Sequence, residues 1–185
     1  MNSELEKGLC LECRLNNRCF YSEANKINWN VGGKRGGFDY IPPLGWIGIG
    51  LNVSKKYDNG NDDWLAHDGN KNEWAVAYHS VDGKVLSMII FSGFRAGGRQ
   101  IYKDNEDIYH PGQKVGAGVY FTPDPKIMDN FNNKVINING KKYKCALMVR
   151  VKPDKIRCPS ENKNFWILNA ISDEIRPYRI LLKEI

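Results

Sequence analysis

The chain has 185 residues, enough for one domain with a real core, and its 42% hydrophobic and 26% charged residues are those of an ordinary globular protein. No apolar run approaches the roughly 20 residues a membrane helix needs, and the opening residues, MNSELEKG, lack the basic start and apolar stretch of a secretory signal. The expectation is therefore an intracellular protein, cytoplasmic or nuclear, with no membrane partner. The net charge of +6 comes from 27 basic and 21 acidic residues that are interspersed, and it suits a groove for an anionic dinucleotide as well as it suits nucleic acid.

Residues 1–37 read as a lead-in and residues 38–185 as the domain proper. The lead-in carries Cys10, Cys13 and Cys19, followed by Gly32-Gly33-Lys34-Arg35-Gly36-Gly37, whose glycines suit a flexible hinge. Three thiols at that spacing lack a fourth zinc ligand; His67 is distant, so zinc is not expected and reduced cysteines are. From Phe38 onward, short runs rich in Val, Ile and aromatics alternate with Gly, Pro, Asn and Asp clusters, which is the pattern of strands and loops. Strands are predicted over Trp46–Val53, Glu73–His79, Gly118–Phe121, Cys145–Val151 and Arg179–Lys183. Weaker ones, Val135–Ile138 and Lys142–Tyr143, flank the hairpin signal Asn139-Gly140, while the basic run Lys141-Lys142-Tyr143-Lys144 reads as a solvated turn. Val85–Phe91 has apolar residues at helical spacing after Asp82-Gly83. Asp124–Asn130 is the second predicted helix, because a capping Asp followed by Pro125 is a good start. Two helices among many short strands give the α+β class.

Three segments carry candidate chemistry. Trp74-Ala75-Val76-Ala77-Tyr78-His79-Ser80 reads as a buried strand that ends in an imidazole. In Gly116-Ala117-Gly118-Val119-Tyr120-Phe121-Thr122, glycines allow close backbone approach, and the strand must send Tyr120 and Phe121 to opposite faces. Phe165-Trp166-Ile167-Leu168-Asn169 followed by Glu174-Ile175-Arg176-Pro177-Tyr178-Arg179-Ile180-Leu181-Leu182 reads as a strand, a loop and a closing strand. Glu174 and Arg176 are expected to pair with each other, and Trp46, Trp64, Trp74 and Trp166 to be core or cleft wall. His110, ahead of Pro111-Gly112, reads as a turn residue.

In this order, the segments resemble the poly(ADP-ribose) polymerase-like, diphtheria-toxin-like side of the ADP-ribosyltransferase superfamily. The resemblance rests on Tyr78-His79-Ser80, Gly118-Val119-Tyr120-Phe121 and the Glu174-to-Leu182 close, and spans roughly Trp46 to the end. It implies a fold of mainly antiparallel split sheets with a few short helices, and NAD⁺ as the substrate. His79 would meet a ribose hydroxyl, the main chain at Ser80 would grip the nicotinamide carboxamide, and Tyr120 would stack on the nicotinamide ring. The stretch from Ser92 to Gln100 matches the loop over the donor, where Arg95 or Arg99 would meet the pyrophosphate. His79 and Tyr120 are thereby the candidate catalytic residues, expected to face each other over a dinucleotide-sized hollow.

One feature departs from the family pattern. The family's glutamate falls near Trp166 when counted back from Ile175-Arg176, yet Asn164 to Asn169 hold no carboxylate. Glu161 lies upstream, and Asp173 and Glu174 downstream. The resemblance then implies single transfer of ADP-ribose to a protein or nucleic-acid acceptor rather than polymer synthesis. The alternative it leaves open is a non-catalytic module of the same fold that binds NAD⁺, ADP-ribose or a protein partner.

Overall fold

A computed structural model describes residues 33–131 and 135–185, together with the main chain of 18–20. Its centre is a six-stranded antiparallel sheet with β1 (Arg18–Phe20), β4 (Ile47–Gly50), β10 (Ile175–Glu184), β8 (Lys141–Val151) and β5 (Ala75–Ser80) as neighbours in that order. A further strand, β7 (Val135–Ile138), pairs with the first half of β8, below β5. Two short ribbons complete the strands: β2 (Lys34–Arg35) with β3 (Phe38–Asp39), and β6 (Val119–Phe121) with β9 (Trp166–Leu168). The helices among the described residues are α1 (Gly83–Ser92) and α2 (Pro125–Phe131). The class is α+β with antiparallel sheets, and no helix among the described residues is long and apolar enough to cross a membrane.

From Cys145 to Val151 β8 is buried at every position, because both sheet faces are covered. Cys145, Leu147, Val149 and Val151 face one core, shared with Phe94, Val119, Phe121, Trp166 and Leu168. Ala146 and Met148 face the other, shared with Trp46, Tyr78, Met128 and Leu181. The tryptophans Trp46, Trp64, Trp74 and Trp166 are all buried.

Several elements differ from their predicted form. Helix α1 begins at Gly83, ahead of the predicted Val85, because Asp82 caps it: its carboxylate accepts from Lys84 N at 3.1 Å, and Gly93 at φ +82° ends the helix. Asn139 and Gly140 both take positive φ in the β7–β8 hairpin, so Lys141 to Lys144 open a strand and are not a loose turn. Lys144 reaches Asp129 at 2.7 Å and ties α2 to the sheet. The closing strand begins at Ile175, earlier than expected; a bulge at Tyr178 takes up the register shift beside Pro177, which cannot donate to the ladder. Of the glycines after Arg35, Gly36 sits in a close-packed turn rather than a flexible hinge, while Gly37 faces open space. At Gly36 (φ +55°) an added Cβ would stand 2.6 Å from Ala75 N, and Arg35 is buried beside Glu73. Cys10, Cys13 and Gly32 lie outside the described residues, and of Cys19 only the strand main chain is described.

Glu174 and Arg176 do not pair. Arg176 runs to Asp58, with NH1 and NH2 at 2.6 and 2.7 Å from its two oxygens, and lies over the rings of Trp74, Tyr57 and Trp64. Glu174 instead accepts from the main-chain and side-chain nitrogens of Asn169, both at 2.7 Å. The ring enclosure, set by distant residues, decides where the guanidinium goes.

Candidate functional site

The site is built at a split between β5 and β6. Along an antiparallel ladder, successive residues turn their N–H and C=O groups to alternate edges. Val81 N donates to Cys145 O on β8, whereas Tyr78 turns outward and exchanges both bonds with Thr122, at 2.8 and 3.0 Å. By the same alternation Ser80, two residues after Tyr78, presents its N–H and C=O to the outer edge. The next pair of that ladder would be Ser80 with Tyr120. It does not form, because the Tyr120 carbonyl accepts from His79 Nδ1 at 2.8 Å instead. The strands part there, with the Ser80 main chain facing the gap. The Ser80 hydroxyl is turned away and donates to Met128 O at 2.6 Å, so the side chain stays out of the gap.

The bond at His79 fixes its chemistry. A carbonyl only accepts, so Nδ1 carries the proton, and Nε2 of the neutral ring is left as an acceptor. Nε2 has no partner among the described residues. Burial lowers the imidazole pKa below its ordinary 6.5, partly offset by the bond to Tyr120, so the neutral ring is favoured. Phe94 and Phe121 hold it with centroids at 5.3 Å each.

Tyr120 lies beside His79, but not ring to ring. Phe121 leaves β6 toward the imidazole, so the phenol of Tyr120 leaves on the opposite face. The expected facing pair is replaced by a side-chain to main-chain contact, because a strand cannot send consecutive residues the same way. The phenol joins a second aromatic group, with Tyr102 at 6.1 Å and Phe165 at 6.2 Å, and its hydroxyl accepts from Tyr102 N at 3.1 Å.

Two side chains, Gln100 and Arg157, hold the loop between α1 and β6. Gln100 accepts from Gly118 N at 3.0 Å and donates to Gly118 O at 3.1 Å, which mimics a strand partner. Arg157 donates to the carbonyls of Val115 and Ala117 and to Asn169 Oδ1, extending the bonds from Glu174. No local pattern marks Tyr102 or Arg157, because each acts across a long loop. At Gly118 an added Cβ would stand 2.5 Å from Leu168 O and 2.6 Å from Ile167 Cγ2. Gly118→Ala is expected to lower the melting temperature by an amount equivalent to about 1–3 kcal/mol; an unchanged melt would contradict this packing.

Arg95 and Arg99 are both exposed on that loop. His110 sits in a turn, as predicted, with Nδ1 2.7 Å from Asp107. Asp107 is buried; burial pushes its carboxyl up, but bonds from Cys158 N, His110 and Tyr109 N outweigh this and hold it below the usual range.

Strand β9 presents no carboxylate. Trp166, Ile167 and Leu168 are buried, Glu174 is committed to Asn169, and Glu161 and Asp173 are exposed in turns. A cavity of about 310 Å³ is walled by the last turn of α1, Phe94, Tyr57, residues 170–172, Ile175 and Pro177. It does not include His79 or Tyr120 in its walls. Among the described residues no cluster of His, Cys, Asp and Glu is arranged to hold a metal ion. No protein-family model matches the chain, and no curated protein matches it.

Proposed function

We propose that this chain has the ADP-ribosyltransferase fold and acts as an NAD⁺-dependent mono-ADP-ribosyltransferase. The observation that carries the reading is His79: an imidazole with Nδ1 committed to the Tyr120 carbonyl, an unpartnered Nε2, and the open main-chain edge of Ser80 beside it. Nε2 accepts a hydrogen bond from a ribose hydroxyl. The Ser80 N–H and C=O match the acceptor and donor of a carboxamide, and Arg95 is the candidate for the pyrophosphate. Tyr120 stacks on nicotinamide only if the Tyr102 loop lifts from its ring. In transfer the bond from C1′ to the nicotinamide nitrogen breaks with its electrons going to nicotinamide, and an acceptor nucleophile bonds to C1′ as it loses its proton.

The missing carboxylate sets the limit on rate. Loss of one transition-state contact of this kind costs about 3–4 kcal/mol, several hundredfold, so one slow transfer is expected and polymer is not. A second reading, a non-catalytic module that binds NAD⁺, ADP-ribose or a protein partner, is favoured by the same commitment of Glu174 to Asn169. Incubation with NAD⁺ labelled in either half distinguishes them. Released nicotinamide with labelled acceptor supports the enzyme; calorimetric binding with no release supports the module; neither binding nor release removes both.

The His79 geometry also gives a pH dependence. Its folded pKa lies below 6.5, so Nε2 keeps its lone pair at and above that value. As pH falls below 6.5 the unfolded ring protonates first, the stability linked to the neutral ring declines, and the acceptor is lost on passing the folded value. NAD⁺ affinity measured by calorimetry should be flat above 6.5 and fall only on the acid side. Affinity that rises with acid would contradict the assignment of Nε2.

A further inference from the structure

The second aromatic group has a use that the NAD⁺ reading leaves unexplained. Tyr120, Phe165 and Phe131 follow one another with centroids 6.2 and 5.4 Å apart, and Tyr102 lies 5.8 Å from Phe165. The row runs outward from the site, from half-buried Tyr120 and Phe165 to Phe131, at the end of α2, which is 62% exposed. Its polar atoms are poised to donate. The Tyr120 hydroxyl accepts from Tyr102 N, and the Tyr102 hydroxyl accepts from Asn162 Nδ2 at 2.9 Å, so each keeps its own proton to give. Lys103 follows Tyr102, with Arg99 ahead of it on the same loop, and Lys163 follows Asn162 on the connection from β8 to β9. All three are exposed, with no carboxylate partner among the described residues; Asp104 and Glu161 offset part of their charge.

We propose that this row is a binding surface for single-stranded nucleic acid. Each base presents a face to a ring, while the hydroxyls and the three cations meet phosphate oxygens, the combination by which strands are bound without sequence preference. An apolar protein segment fits less well, because it would have to bury two hydroxyl donors and three cations. The surface stands on the rings and cations alone. If the NAD⁺ reading also holds, the strand is the acceptor, its end led to Tyr120.

The test is fluorescence anisotropy of a labelled oligothymidylate of about a dozen nucleotides, at low salt and without NAD⁺, so that its failure leaves the NAD⁺ reading untouched. Saturable binding is expected, weakening as salt rises. Phe131→Ala, at an exposed position whose loss leaves the melt unchanged, should weaken it about tenfold. Lys163→Glu should weaken it and flatten the salt dependence. No binding at low salt overturns the proposal. So does binding indifferent to Phe131→Ala, which would be charge attraction alone, and so does Phe131-dependent binding of an uncharged apolar peptide where the strand does not bind.

Discussion

Replacing His79 with alanine is expected to weaken NAD⁺ binding about tenfold, from one lost hydrogen bond, and to cut transfer a hundredfold or more. The variant removes two things at once. It deletes Nε2, and it leaves the Tyr120 carbonyl without the donor that now stands 2.8 Å away, at a stability cost of about 1–3 kcal/mol. His79→Asn separates them, because a side-chain amide supplies a donor near the position of Nδ1 and no acceptor at the position of Nε2. It should therefore restore much of the melting temperature while binding stays weak. Equal NAD⁺ affinity in wild type and His79→Asn would mean that the imidazole only shapes the strand ends.

The largest effect on folding is expected at Arg176. Its guanidinium makes the two bonds to Asp58, donates from Nε to Ser172 O at 2.9 Å, and lies 4.1 Å from the Trp74 ring centroid. Arg176→Met should destabilise by about 3 kcal/mol, since it strips the bonds to Asp58 and Ser172 and the ring contacts together. Asp58→Asn should cost less, because that carboxylate is half-exposed and the rings still hold the cation. The hydrogen bond from Arg176 holds the Asp58 carboxyl below its ordinary 3.8. Its contribution is thus present above that value and lost as pH falls below it. Denaturant titrations of both variants check the order; Asp58→Asn should also unfold less steeply in acid than the wild type.

The sequence announced the elements that local chemistry decides. Asn139-Gly140 marked its hairpin and Asp124-Pro125 its helix start, because turns and caps are set by a few neighbouring residues. It announced His79 at the end of a buried strand for the same reason. What it hid was set from far away. The closing strand is predicted only from Arg179, and the bulge opposite β8 is what lets it begin at Ile175 and carry Pro177. Glu174 and Arg176 were two residues apart and of opposite charge, yet Asn169 and Asp58 claim them. Tyr120 was placed beside His79, but the register of β6 against β9, which puts Ile167 opposite Tyr120 and Trp166 opposite Phe121, sends the phenol elsewhere. Gln100 and Arg157 hold the loop through carbonyls 18 and about 40 residues away, beyond any local spacing.

The most direct test follows the ring nitrogens of His79 by NMR in isotopically labelled protein as NAD⁺ is added at neutral pH. Without ligand, Nδ1 should be the protonated nitrogen, and on saturation the Nε2 resonance should shift as it accepts a ribose hydroxyl while Nδ1 stays bonded to Tyr120. A free protein with Nε2 protonated, or a saturating titration that leaves both nitrogens unmoved, would contradict the account.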